Sequence, residues 1–323
     1  MIEVSNLSKA YRINVKEPGL RGVAKSLFHT KWIEKIAIDN ITFNVQEGQS
    51  LACIGENGAG KSTLIKMLIG ILKPTNGLIT VYGKNPRLDR TEYLRNIGVI
   101  FGQKSNLWID IPVIESYNAT QVLYKLDKDS FRKKLDMVTD LLELSSILTI
   151  PARKLSLGQR MKADIGLVFL HNPQILYLDE PTIGLDINVK HTIRSFLRKM
   201  NKEQHTSIIL TSHDLDDIDE ICTSAIILSK GAIIYDGTIE NLKHSYVKDK
   251  MVKIKGIQIG KMLSTLNDIK IVNEGNYTKI FYNTEKYTSE QILTSISKAF
   301  IVEDITIQDP DIDEVVSKIF QMS

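Results

Sequence analysis

The residues from Gly55 to Thr63 read GENGAGKST, satisfying the pattern G-x-x-x-x-G-K-[ST] directly after the apolar run Leu51–Ile54. In such a loop, successive backbone N–H groups converge on phosphate oxygens, and the helix that follows presents its positive dipole end to them. Gly55, Gly58 and Gly60 supply the backbone angles and the close approach that side chains would block, with Asn57 and Ala59 between them. Lys61 is then placed to reach β- and γ-phosphates as a point charge, Ser62 to offer its hydroxyl to Mg²⁺, and Thr63 closes the pattern. The chemistry these residue types allow is the binding of a nucleoside triphosphate.

A second candidate is ILYLDEP, Ile175 to Pro181, an apolar strand ending in two acids. Asp179 is positioned for the shell of a metal ion, and Glu180, one residue on, points differently and can polarise an attacking water. The alternative is a strand followed by a solvated acidic turn. Between the two motifs, LSLGQRMKADIGLVFL starts at Leu155 with a Ser-x-Gly-Gln turn that opens an amphipathic helix.

The elements that must hold these residues follow an α/β plan. From Met1 to about Gly237, short apolar runs alternate with helical patterns. Strands are predicted at 2–4, 41–45, 50–54, 96–101, 174–178, 207–211, 225–228 and 232–236. The interval of about 91–160 is predicted to be a helical subdomain inserted in the sheet domain, with an amphipathic helix over 131–144. Residues 19–35 carry Leu20, Val23, Ala24, Leu27, Phe28 and Trp32 at helical spacing, which predicts a further amphipathic helix. It packs on its own domain or docks on a partner or membrane surface. The domain boundary is placed near residue 240, and residues 248–323 read as a small accessory α+β unit of βαββαβ type, with helices near 261–266 and 289–299 and a terminal helix from Asp311.

Composition narrows the class. The chain has 323 residues, 43% hydrophobic and 24% charged, and a formal charge of only +3, so no nucleic-acid partner is called for. Cys53 and Cys222 lie in apolar runs without metal-ligand or redox spacing and read as buried thiols. The start, MIEVSNLSKAYRI, lacks the basic and apolar regions of a signal peptide, and no apolar run approaches the roughly 20 residues that span a bilayer.

Taken together, the motifs resemble the ABC ATPase family. GENGAGKST looks like its Walker A, Gln103 in FGQK like its Q-loop, LSLGQ like its signature, YLDEP like Walker B, IGLD ending at Asp186 like its D-loop, and TSHD with His213 like its switch histidine. The resemblance implies a P-loop NTPase sheet domain with an inserted helical subdomain, hydrolysing ATP with Mg²⁺. It implies that Ser156 and Gly158, with Gln159, meet the γ-phosphate of ATP held by an opposite subunit, so that complete sites require a head-to-tail pair, expected to be a homodimer. Gln103 would sense the γ-phosphate and metal, His213 would hold phosphate and water in line with Glu180, and Tyr11 matches the adenine-stacking aromatic, for which Trp32 is an alternative. Leu157 stands where the signature usually has glycine.

One ATPase domain with a short C-terminal domain resembles subunits of the ABC-2 export class, and the segments YRINVKEPGLRGVAKSLF and VIFGQKSNLWIDIPVIES resemble a branch of bacterial exporter ATPases linked in part to viologen or drug efflux. The resemblance implies separate transmembrane permease subunits and a place on the cytoplasmic face of the membrane. Import is the alternative direction, and a soluble ABC ATPase switch a further one. Leu107, Trp108 and Ile109, just after Gln103, either dock a membrane subunit or are buried in the helical subdomain.

Overall fold

The computed structural model describes residues 1–15, 31–102, 104–246, 249–259, 269–284 and 286–308, together with Val316 and Ile319. The chain divides into two units, Met1–Gly237 and Thr238–Ser323.

The first unit opens with two long strands, β1 (Ile2–Val15) and β2 (Lys31–Val45), paired antiparallel from Ile2↔Val45 to Val15↔Lys31. The helix predicted over 19–35 is corrected at its end: Lys31 to Lys35 belong to β2, where Trp32 pairs with Asn14 on an exposed stretch of the hairpin. Pairing with β1, helped by Ile33, Ile36 and Ile38, favours that strand over helix. Residues 19–30 of that prediction lie outside the described residues.

Next come β3 (Ser50–Gly55), α1 (Lys61–Leu68) and β4 (Asn76–Val81), which pairs with the free side of β1. Strand β4 was absent from the sequence prediction because its first residues are exposed and only its last alternate toward the core. Then follow α2 (Arg90–Arg95), β5 (Ile97–Phe101), α3 (Val113–Tyr124), α4 (Lys128–Leu141) and α5 (Leu157–Phe169). The interval 91–160 thus includes a sheet strand as well as helices, and the uninterrupted helical stretch begins at Val113. After it come β6 (Ile175–Asp179), α6 (Ile187–Gln204), β7 (Ser207–Thr211), α7 (Leu215–Ile221), β8 (Ser224–Ser229) and β9 (Ala232–Thr238).

These strands form a second sheet in the order β5-β6-β7-β3-β8-β9. The pairs β5/β6, β6/β7, β7/β3 and β3/β8 are parallel, and β3, β7 and most of β6 and β8 are buried, as a parallel sheet covered on both faces requires. The turn Lys230–Gly231, both at positive φ, folds β9 back beside β8. One core joins the two sheets through α1: Ile2, Phe43 and Ile79 from the antiparallel sheet, Leu64, Ile65 and Leu68 from α1, and Cys53, Tyr177 and Ile209 from the parallel sheet.

Within that core the Tyr93 hydroxyl donates to Leu68 O at 3.0 Å and accepts from the Tyr177 hydroxyl at 2.7 Å. The relay ties the end of α1 to the strand that carries Asp179. Removing the Tyr177 hydroxyl leaves no orphan donor, so Tyr177→Phe is expected to cost about 1 kcal/mol of stability. Tyr93→Phe strands both a carbonyl and a buried hydroxyl and is expected to cost roughly 1–3 kcal/mol more. Urea unfolding of the two variants checks this order; equal midpoints would show that the relay does not couple the three elements.

The second unit contains α8 (Ile239–Tyr246), β10 (Asp249–Gln258), β11 (Lys270–Glu274), β12 (Tyr277–Asn283), α9 (Ser289–Ala299) and β13 (Phe300–Gln308). Its antiparallel sheet, ordered β11-β12-β10-β13, buries Val252, Ile254, Ile280 and Tyr282 against Ile292 and Ile296 of α9. Helix α9 starts at a capping box in which Thr288 and Gln291 satisfy each other's backbone N–H. The predicted helix at 261–266 lies outside the described residues, as does most of the predicted terminal helix, where Val316 and Ile319 are helical and buried.

Candidate functional site

The loop between β3 and α1 is shaped by what cannot fit there. Gly60 sits at φ +112, and a Cβ on it would meet Ala37 O at 2.5 Å and Ile38 Cδ1 at 2.6 Å. No other residue satisfies both demands. Gly55 precedes the turn at the end of β3, and Asn57, Gly58, Gly60, Lys61, Ser62 and Thr63 line one side of a cleft of about 540 Å³. Ala59 is buried beneath it. Opposite the loop the cleft is lined by Tyr11, Ile13 and Ile36 of the β1–β2 hairpin, so Tyr11 faces the phosphate loop. Tyr11 lines this cleft and Trp32 is not among the residues that do.

Lys61 is 6% exposed, and its ammonium donates to Gly55 O at 2.5 Å and Glu56 O at 3.2 Å. Burial pulls its pKa below the ordinary lysine range, while the nearby Glu180 and Asp179 oppose that shift. A polyanion entering the loop would meet a cation already drawn out of water.

Asp179 and Glu180 leave the end of β6 in different directions. Asp179 Oδ1 accepts from the Thr211 hydroxyl at 2.6 Å and from the Ser62 hydroxyl at 3.3 Å. Among the described residues no group of three or more His, Cys, Asp or Glu could hold a metal. A Ser hydroxyl beside one carboxylate fits instead the hard-oxygen, partly hydrated shell of Mg²⁺ on phosphates, to which the protein adds only one or two ligands.

Glu180 has φ +53, a left-handed conformation that costs a non-glycine residue roughly 1–3 kcal/mol. Its N–H is fixed by Thr211, donating to the backbone O at 3.0 Å and to Oγ1 at 3.2 Å. The result is a carboxylate whose Oε1 lies 3.0 Å from His213 Nε2, itself 3.4 Å from Lys61 Nζ. Base candidate, histidine and phosphate-loop lysine are therefore gathered at the mouth of one loop. Gln103 lies outside the described residues.

The Ser-x-Gly-Gln turn sits at the start of α5. Ser156 is the N-cap, accepting from Gln159 N, and the Gln159 side chain returns to Ser156 N at 3.0 Å. Gln159 is thereby engaged in its own helix cap. Ser156 itself is exposed, and Gly158 lets α6 in: a Cβ there would meet Val189 Cγ2 at 3.0 Å. Asp186 caps α6 by accepting from Asn188 N and Val189 N. The N-terminal ends of α5 and α6 consequently lie side by side.

The residues after Gln103 are held by a group that sequence reading missed. Asp164, inside α5, accepts from Ser105 Oγ at 2.8 Å, Asn106 N at 2.7 Å and Leu107 N at 3.3 Å. Burial raises its pKa, and the three donors pull it back. Leu107 is buried at 4% exposed, whereas Trp108 is 60% and Ile109 53% exposed. The run is thus split: Leu107 anchors and the next two residues face outward. Trp108 lines a mostly apolar cavity of about 710 Å³ with Val122, Leu123, Leu167 and His171. His171 stacks on Tyr124 with centroids 4.1 Å apart, and burial pulls its pKa to about 4, so it stays neutral there at pH 7. Thr211 was also missed as a functional residue, though it opens the TSHD motif; its double grip on Asp179 and Glu180 shows only in three dimensions.

The ABC transporter family model matches residues 38–183. The chain is 30% identical to the ABC transporter ATP-binding protein NatA of Bacillus subtilis (strain 168), over 65% of this chain and 85% of NatA. It is also 30% identical to the energy-coupling factor transporter ATP-binding protein EcfA2 of Staphylococcus epidermidis, over 78% of this chain and 89% of that protein. A solved dimeric ATP-binding cassette in a post-hydrolysis state with ADP and Pi shares the fold, with a TM-score of 0.61 at 23% identity, over 74% of this chain and 99% of that one. With the phosphate loop, the acid pair and the histidine assembled on a parallel sheet, the chain belongs to the ABC transporter ATP-binding family and is an ATPase subunit of a transporter.

Proposed function

We propose that the chain is the motor subunit of a membrane exporter. Two copies sit head to tail, each ATP lying between residues 55–63 of one copy and Ser156–Gly158 of the other. What supports the ATPase part of this reading is the cluster of Lys61, Glu180 and His213, a carboxylate and a histidine gathered at the mouth of the phosphate loop. In the proposed roles Lys61 and the loop N–H groups hold the phosphates and Tyr11 stacks on adenine. Ser62, Asp179 and Gln103 hold Mg²⁺, which supplies charge neutralisation on the phosphates. Glu180 takes the proton of the attacking water, His213 keeps that water and the phosphate aligned, and Asp186 supports the face between copies.

Hydrolysis by the purified chain should vanish with chelator and return with Mg²⁺. Activity that persists in excess chelator would refute the metal assignment.

The apolar cavity beside Trp108 supports docking of a permease subunit, which would place the chain on the cytoplasmic face of the membrane. Among the described residues no helix is long and apolar enough to cross a membrane. Trp108→Ala is expected to abolish transport in the assembled complex and to change the ATPase of the isolated chain by less than about twofold, since Trp108 lines the apolar cavity and is not among the residues lining the phosphate-loop cleft. Equal loss of both activities would rule out a docking role. Export rests on the resemblance to the ABC-2 class and on the small C-terminal sheet unit. Import is the second direction, since the ATPase core is shared between the two. The direction in which the assembled complex moves its substrate across sealed vesicles separates the two.

A further inference from the structure

Asp217, in α7, has no exposed surface and accepts from three separate segments. The hydroxyl of Thr182, two residues after Glu180, donates to Oδ2. The hydroxyl of Ser212, one residue before His213, donates to the same oxygen at 2.9 Å. Arg194 Nε, from the middle of α6, donates to Oδ1 at 2.6 Å. Both hydroxyls are buried, so their protons are committed to this carboxylate.

We propose that Asp217 is a positioning residue for ATP hydrolysis, clamping the Glu180 loop and the His213 loop to each other. The inference rests on the proposed roles of those two residues. A backbone held at φ +53 persists only where its surroundings over-determine it. Thr211 fixes Glu180 from the N–H side, and the Thr182–Asp217–Ser212 clamp fixes the chain just beyond it. A displacement of about 1 Å between reacting groups costs on the order of a hundredfold in rate. The 3.0 Å separation of Glu180 and His213 depends on both loops keeping their place. Pairing Arg194 is a separable task, because its guanidinium also donates to Asp214 at 3.1 Å and Glu220 at 3.0 Å.

The test compares Asp217→Asn with the double variant Thr182→Val/Ser212→Ala in the full chain, reading kcat and KM for ATP together with the thermal midpoint. Asp217→Asn keeps the shape of the side chain and leaves Arg194 two carboxylates, so a folded protein is expected. The double variant leaves the Arg194–Asp217 pair untouched and serves if Asp217→Asn does not fold. Both should lower kcat at least about tenfold with KM within about twofold, the signature of a displaced reacting group. A folded Asp217→Asn, or a folded double variant, with kcat within twofold of wild type overturns the inference. So does a loss expressed wholly in KM. Glu180→Gln run alongside separates the failures: if it is dead while Asp217→Asn is active, only the clamp is wrong, whereas if it turns over like wild type, the assignment of the base falls, and the clamp with it.

Discussion

Glu180→Gln is expected to cut ATP turnover by about 10²–10⁴-fold, the usual worth of a positioned base, while ATP affinity stays within a few fold. The amide keeps the size of the carboxylate and its bond partners at the backbone, where the N–H is held by Thr211. It keeps the contact with His213 but cannot accept the water's proton. With cleavage blocked and binding intact, the ATP-bound form accumulates, so the variant should sediment as a dimer in ATP while wild type returns to monomer as it hydrolyses. A variant that retains more than about a tenth of wild-type turnover would place the base elsewhere. A dead variant that stays monomeric at saturating ATP would keep Glu180 as the base and remove the homodimer.

The contrast between Glu180 and its neighbour shows how two adjacent acids are turned toward different partners. Asp179 is the last residue of β6 and stays in the extended register, its carboxylate tied to Ser62 and Thr211. Glu180 turns into the left-handed region, which swings its side chain away from that pair and toward His213. Strain of this kind is sustained by its neighbours, here Thr211 on one side and the proposed Asp217 clamp on the other. It follows that substitutions of the buried Thr182 and Ser212, which do not line the phosphate-loop cleft, should act on kcat.

The parallel sheet was legible because its strands are buried on both faces and read as continuous apolar runs, such as SLACI and ILYL. The phosphate loop was legible because its chemistry fixes residue type at fixed spacing, and the distance from Lys61 to Glu180 and His213 follows once β3, β6 and β7 are adjacent. What escaped has a common cause. Strand β4 is half exposed, so its pattern is diluted. Lys31 to Lys35 carry apolar residues whose spacing suits a helix continuing from residue 19, yet pairing with β1 overrides it. Asp164 and Asp217 look in sequence like any helix acid, and only burial against Ser105–Leu107 and Thr182–Ser212 gives them a task. Long-range partners leave no local trace.

Lys61→Ala is expected to weaken ATP binding by about 10²-fold or more, since charge-assisted bonds of a buried ammonium contribute roughly 1.5–3 kcal/mol each. The loss should appear in nucleotide affinity itself, measured at equilibrium without turnover. Its partner experiment tests whether sites are shared. Ser156→Arg places a bulky cation at the exposed N-cap of α5 and leaves the loop of its own chain intact. Each variant alone should be inactive. Mixed in equal amounts, half of the dimers carry one chain of each kind, and in those the Lys61 of the Ser156→Arg chain faces the Ser156 of the Lys61→Ala chain. One site in two is whole, so about a quarter of wild-type activity should return, as the arithmetic of a two-fold pair demands. A site contained within one chain predicts no recovery on mixing, because every loop would still face a defect of its own. Absence of recovery, with both variants folded and dimerising, would therefore end the head-to-tail arrangement while leaving the ATPase assignment in place.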